Sequence, residues 1–127
     1  MEEKIFNHVA FTIKDLSDIK DFYTDILGLE VTRKFTLPKE ISGKVFGIEK
    51  ETEVTQVGRN DFAIEIFKSD DCGCRSYQHV CIAVSDREEV IQKARDNNYP
   101  MIIIKRDISD LVFIKDRSGN LFEVKQS

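Results

Sequence analysis

The sequence predicts an α+β chain made of two tandem βαβββ modules, and three observations carry that prediction. First, the chain repeats itself. Phe6-Asn7-His8-Val9-Ala10-Phe11-Thr12-Ile13-Lys14-Asp15 aligns with Tyr77-Gln78-His79-Val80-Cys81-Ile82-Ala83-Val84-Ser85-Asp86 at one constant offset, and both histidines of the chain fall on equivalent positions. Second, the halves end alike, on Phe62-Ala63-Ile64-Glu65-Ile66 and Asn120-Leu121-Phe122-Glu123-Val124, each with one Glu among apolar residues of strand type. Third, each half carries one helix-periodic stretch among several strand-like ones.

In the first half, Ile5 to Ile13 alternates and is rich in β-branched and aromatic residues, which predicts a strand. Leu16, Ile19, Phe22, Tyr23, Ile26 and Leu27 recur at helical spacing, with Asp15 as N-cap and Gly28 as the stop. Leu29 to Phe35 reads as a strand. Pro38 to Lys50 carries the breakers Gly43 and Gly47 with a short helical turn between them. Glu53 to Val57 and Asp61 to Phe67 read as a hairpin around Gly58-Arg59-Asn60. The first half is the longer one, and Gly43 to Thr52 lies where it exceeds the second.

Polar residues Ser69 to Ser76 form the linker. In the second half, Tyr77 to Val84 reads as a strand, and Ser85-Asp86-Arg87-Glu88 matches a capping box. Val90, Ile91 and Ala94 give the following helix its apolar face, and Asn97-Asn98 with Pro100 end it. Met101 to Ile104, an unbroken apolar run, reads as a buried strand. Leu111 to Ile114 and Leu121 to Val124 form a hairpin around Asp116-Arg117-Ser118-Gly119-Asn120. The modules then span about residues 4–68 and 77–127 of one domain covering 1–127.

Composition narrows the function. The chain has 127 residues, with 19 Lys and Arg against 23 Asp and Glu, a net charge of −4. This balance argues against a nucleic-acid partner, which calls for a basic face. No apolar run approaches the roughly 20 residues that span a bilayer, so no membrane partner is expected. The acidic start Met1-Glu2-Glu3-Lys4 lacks the apolar stretch of a signal peptide, and the three cysteines are an odd count that suits a reducing compartment. The expected location is cytoplasmic. Cys72-Gly73-Cys74 lacks the C-x-x-C spacing of redox and zinc motifs and reads as an exposed linker. Cys81 reads as a small pocket-lining residue.

Strand side chains alternate between faces. If Val9, Phe11 and Ile13 pack on the helices, His8 faces the other way with Ala10 and Thr12, and the same parity sets His79 opposite to Val80, Ile82 and Val84. Glu65 lies on the opposite parity from Ile64 and Ile66, and Glu123 from Phe122 and Val124. All four polar residues are thus expected on the face the helices leave open. A lone strand histidine is commonly a hydrogen-bonded structural residue and a strand Glu commonly a solvated one. Symmetric placement of two of each favours metal binding instead, since imidazoles and carboxylates on one concave face satisfy one another around a divalent cation. A His₂Glu₂ set of nitrogen and oxygen donors suits Ni, Co, Zn, Mn or Fe.

The segments His8-Val9-Ala10-Phe11, Asp15-Leu16, Phe22-Tyr23-Thr24-Asp25-Ile26-Leu27-Gly28-Leu29-Glu30, Ile64-Glu65-Ile66-Phe67, His79-Val80 and Asp116 to Glu123 together resemble the vicinal oxygen chelate superfamily. That superfamily includes glyoxalase I, epimerases, extradiol dioxygenases, fosfomycin-resistance enzymes and bleomycin-resistance proteins. The resemblance covers nearly the whole chain and implies a curved, open, cup-shaped glyoxalase-like fold, a homodimer and a small-molecule substrate. It implies metal-ligand roles for His8, Glu65, His79 and Glu123, with Ni, Co or Zn ahead of Mn or Fe. Glu at position 65 resembles the bacterial type of glyoxalase I, a metal-dependent lyase or isomerase of the lactoylglutathione lyase kind. Its chemistry is proton transfer next to a carbonyl, with the substrate's vicinal oxygens on the metal, Glu123 as base and Glu65 as the alternate. Arg117-Ser118 departs from the Pro-Asp or Pro-Glu step of many relatives. Arg33, Lys34, Lys39 and Lys44 are candidates for a glutathione-binding set that is not fully matched. The alternatives are a metal-free binding protein of the bleomycin-resistance type and a fosfomycin-resistance-like or epimerase-like enzyme.

Overall fold

In the computed structural model, residues 7–70 and 77–127 are described, and among them eight strands form two four-stranded mixed sheets. The first sheet holds β1 (Val9–Ile13), β2 (Glu30–Leu37), β3 (Thr52–Arg59) and β4 (Phe62–Lys68) in the order β1-β4-β3-β2. The second holds β5 (Val80–Val84), β6 (Met101–Ile104), β7 (Leu111–Lys115) and β8 (Leu121–Gln126) in the equivalent order β5-β8-β7-β6. In each, the first strand pairs parallel with the last and the remaining pairs are antiparallel. The chain divides into two compact units, Met1–Cys72 and Gly73–Ser127. The α+β class and the repeated βαβββ order hold. No helix among the described residues is long and apolar enough to cross a membrane. Cys72 and Cys74 lie outside the described residues.

The helix of the first unit differs from the expected run over Leu16 to Leu27. Asp15 accepts from the Ser17 amide and hydroxyl at 2.9 and 2.6 Å, and a tight turn closes from Asp18 to the Asp15 carbonyl. A wide π-helical segment, Ile19–Thr24, follows, with Asp18 as its N-cap residue. Asp25 and Leu27 donate five residues back, to Lys20 and Phe22. The wider turn brings successive side chains closer in direction, so neighbouring Phe22 and Tyr23 are both fully buried, in edge-to-face contact at 5.1 Å. The segment ends in a left-handed cap: Gly28, at φ +75°, donates to the Thr24 carbonyl at 3.1 Å, and Leu29 donates to the Tyr23 carbonyl at 2.9 Å.

The extra length of the first half is a helix, α1 (Lys39–Phe46), between β2 and β3; Gly43 lies inside it and Gly47 closes it. The corresponding stretch between β6 and β7 has none. The β3–β4 turn falls at Asn60-Asp61, one step later than expected, so Gly58 belongs to β3. A Cβ there would stand 2.6 Å from the Phe62 carbonyl, which excludes any larger residue.

In the second unit, α2 (Arg87–Asp96) packs against β8 with Val90, Ile91 and Ala94 buried. Its N-cap is Asp86, which accepts from the Glu89 amide at 3.1 Å, rather than Ser85. β6 is not buried on both faces as expected. It is the sheet's edge strand, and Ile102 and Ile104 are about half exposed because only one of its faces meets the core. The turn between β7 and β8 is organised by Asp116, which is buried and accepts from the amides of Ser118 and Asn120 and from the Asn120 side chain at 2.8–3.0 Å.

The parity of burial predicts unequal costs within one sheet. Phe122→Ala, at a fully buried position of β8, is expected to destabilise the protein by about 3–5 kcal/mol in urea denaturation. Ile102→Ala, on the open face, is expected to cost less than about 1 kcal/mol. Equal costs would contradict the assigned faces.

Candidate metal centre

Each sheet positions one histidine and one glutamate by the same construction. In the first, Ala10 lies opposite Glu65, with Val9 opposite Ile64 and Phe11 opposite Ile66. Ile64 and Ile66 are essentially fully buried, so Glu65 projects from the opposite face. His8 sits immediately before β1, two residues from Ala10 and on its parity. In the second, Cys81 lies opposite Glu123, flanked by fully buried Phe122 and Val124, and His79 sits immediately before β5. The structure thus pairs His8 with Glu65, Nε2 to Oε1 at 3.4 Å, and His79 with Glu123 at 3.8 Å. The carboxylates are 14% and 15% exposed, respectively. Among the described residues, no group of three or more His, Cys, Asp or Glu side chains forms.

The outer nitrogen of each imidazole is also engaged. His79 Nδ1 lies 2.9 Å from the Tyr77 carbonyl oxygen, and His8 Nδ1 lies 2.8 Å from Asn7 Oδ1. A carbonyl only accepts, so Nδ1 carries the proton, and in the neutral ring the Nε2 lone pair turns toward the carboxylate. Lone pair and carboxylate repel unless a proton or a cation lies between them. The separations exceed the roughly 2.7–2.9 Å of a charge-assisted hydrogen bond. Two ligand atoms each about 2.1 Å from one divalent ion stand about 3.0–3.4 Å apart. The first pair matches this spacing and the second is slightly wider. The donor chemistry of each pair fits a divalent cation, with the Nδ1 partners in the orienting role common around metal-bound histidines.

The two pairs differ in their neighbours. Lys125 Nζ lies 4.0 Å from Glu123 Oε2, and the Phe113 ring meets His79 edge-on at 6.2 Å. Two residues beyond Glu65 stands Phe67, whose ring packs against Phe46 of α1 at 5.7 Å. A cleft of about 270 Å³ lies there, with Ala10, Thr12, Phe46 and Phe67 in its walls and Lys50 and Lys68 among its charged residues. In the second unit a cleft of about 220 Å³ reaches Glu123, with Arg106, Asp110 and Lys125. A hydrogen bond from Lys105 holds the Asp110 carboxyl below its usual range. Cys81 is exposed on the Glu123 face, opposite Glu123 itself.

Asn7 and Tyr77 were not legible as functional. A backbone carbonyl leaves no mark in a sequence, although a polar residue directly before His8 was a usable signal. Lys34 lies opposite Thr55, on the other parity from Glu65, whereas Arg33 lies opposite Gln56, on the parity of Glu65.

The geometry predicts one tautomer. In ¹⁵N-labelled, metal-free protein above pH 8, His79 is expected to show a protonated Nδ1 and an unprotonated Nε2 by long-range ¹H–¹⁵N correlation. The reverse pattern would contradict the assigned orientation.

Comparison with known proteins agrees with the fold. Residues 5–124 match the family model described as the Glyoxalase/Bleomycin resistance protein/Dioxygenase superfamily. A lactoylglutathione lyase of Arabidopsis thaliana is 26% identical over 98% of this chain, and the chain spans 45% of that protein's length. A putative lactoylglutathione lyase of Brassica oleracea is 27% identical with the same coverage. The chain thus spans about half the length of these relatives. Among solved structures, a glyoxalase family protein from Enterococcus faecalis superposes with TM-score 0.70 at 23% identity, covering 95% of this chain and 96% of that one. The fosfomycin resistance protein FosX of Listeria monocytogenes gives 0.73 at 16%, covering 99% and 95%. A mutant of FosX complexed with Mn(II) and 1S,2S-dihydroxypropylphosphonic acid gives 0.74 at 16%, covering 99% and 94%.

Proposed function

The chain belongs to the glyoxalase/bleomycin resistance protein/dioxygenase superfamily, and we propose that within it this protein is a metal-dependent lyase or isomerase of the glyoxalase I type. The observation that carries the reading is the pair of His–Glu arrangements, each with Nδ1 engaged and Nε2 turned toward a carboxylate. In this proposal His8, Glu65, His79 and Glu123 hold a divalent cation, with nickel, cobalt or zinc preferred. The lactoylglutathione lyase relatives support a hemithioacetal substrate.

A bound cation would supply positive charge to two vicinal oxygens of the substrate. The chain's own residues do the rest. His8 and His79 present fixed Nε2 atoms. Glu123 takes the proton from the carbon beside the carbonyl and returns it to the adjacent carbon, a transfer needing a carboxylate within hydrogen-bond reach of both. Lys125 Nζ stands 4.0 Å from its second oxygen. Glu65 holds the alternate position. The protein acts as a homodimer in the cytoplasm.

The test is turnover by protein reconstituted separately with Ni(II), Co(II) and Zn(II). Hemithioacetals of methylglyoxal with glutathione and fosfomycin are offered in parallel. Isomerisation of the hemithioacetal is expected, with Glu123→Gln lowering kcat by about 10²–10⁴ and leaving urea stability within about 1 kcal/mol. Turnover of fosfomycin alone, or none with any metal, would overturn the assignment.

A further inference from the structure

We propose that Arg33 is a specificity-determining residue that binds a carboxylate of the substrate on the open face of the first sheet. This inference rests on the reading of Glu65 as part of a metal-chelating site. It starts from an irregularity in β2. The pairing of β2 with β3 runs in register from Glu30 to Val31 and resumes at Arg33, so Thr32 is an extra, bulged residue. Unbroken alternation would place Arg33 on the core face with Val31. The bulge turns it to the other face, and re-aiming a side chain is what bulges commonly do beside functional sites. The resulting row across the sheet runs Ala10, Glu65, Gln56, Arg33.

The side chain is held there. Its guanidinium lies 4.5 Å from the centre of the Phe35 ring, two residues on along the same face. Among the described residues it has no carboxylate within ion-pairing distance, whereas Lys20, Lys68, Lys93 and Lys105 each have one. Gln56, between Arg33 and Glu65, accepts from the Thr32 hydroxyl at its Oε1, 3.0 Å away. Its amide NH₂ is a second donor, on the residue paired with Arg33 across the sheet. One fixed cation and one neutral donor match a monoanionic carboxylate better than a dianion, and a guanidinium edge suits a planar carboxylate. Two strand spacings separate Arg33 from Glu65, about 10 Å between backbones. The Arg33 side chain shortens that gap, so the carboxylate would lie roughly 6–9 Å from oxygens chelated beside Glu65.

Two probes test this on the nickel-loaded chain of residues 1–127 by calorimetric titration. One is 3-(3,4-dihydroxyphenyl)propionate, a vicinal-oxygen chelator with a carboxylate at that reach, and the other is its uncharged amide. The wild type is expected to bind the acid at least about tenfold more tightly than the amide. Arg33→Ala should abolish the preference without weakening the amide, and Arg33→Lys should retain part of it, which separates a charge-reading role from a structural one. An undiminished preference in Arg33→Ala, or no preference in the wild type while both probes bind, would overturn the role of Arg33 alone. Failure of both probes to bind would overturn the chelating site on which it rests.

Discussion

Everything about the candidate centre depends on one constraint, the flanking of a strand carboxylate by two core residues. Ile64 and Ile66 bracket Glu65, and Phe122 and Val124 bracket Glu123, all four essentially buried. A slip of one residue in either strand would expose two large apolar side chains and drive the carboxylate into the core. Each buried side chain of this size is worth roughly 1.5–3 kcal/mol, and an unpaired buried carboxylate adds several more. The hydrophobic core therefore sets the direction of the acid, and the chemistry draws on stability the fold already has.

The histidines are positioned by a different means. Each precedes the first residue of its strand, where ladder hydrogen bonds do not yet hold the backbone. Their orientation comes from one polar contact, with Asn7 Oδ1 for His8 and the Tyr77 carbonyl for His79. The two halves thus orient equivalent histidines by different contacts, since one partner is a side chain and the other backbone. Where the halves differ, asymmetry follows. The position of Phe67 after Glu65 corresponds to that of Lys125 after Glu123, which gives one acid an apolar neighbour and the other a cation.

The repeat, the strands and the parity of the four polar residues were legible in the sequence because they rest on period-two burial, which few residues disturb. The glyoxalase-like class was legible through the resemblance of segments such as His8-Val9-Ala10-Phe11 and Phe22 to Glu30 to that superfamily. What escaped depends on choices that composition does not encode. Leu16 to Leu27 has helical spacing, yet the backbone turns wide from Ile19 so that Phe22 and Tyr23 can both reach the core. Ser85 and Asp86 are both capable caps, and one residue of offset decides which meets an amide. Met101 to Ile104 is apolar throughout, but its place at the sheet edge exposes half of it. The bulge at Thr32 lies among Glu30, Arg33 and Lys34, polar enough to hide the break in alternation that brings Arg33 to the face of Glu65.

The central claim is that both His–Glu pairs contribute to cation binding, and cobalt reports on it without reference to any substrate. Metal-stripped protein is titrated with Co(II) while its visible absorption is followed, for the wild type and for His8→Ala, Glu65→Gln, His79→Ala and Glu123→Gln. The account predicts a saturable spectrum in the wild type that each of the four substitutions weakens or shifts. A spectrum that responds to one pair and is indifferent to the other, or no saturable binding at all, would contradict it.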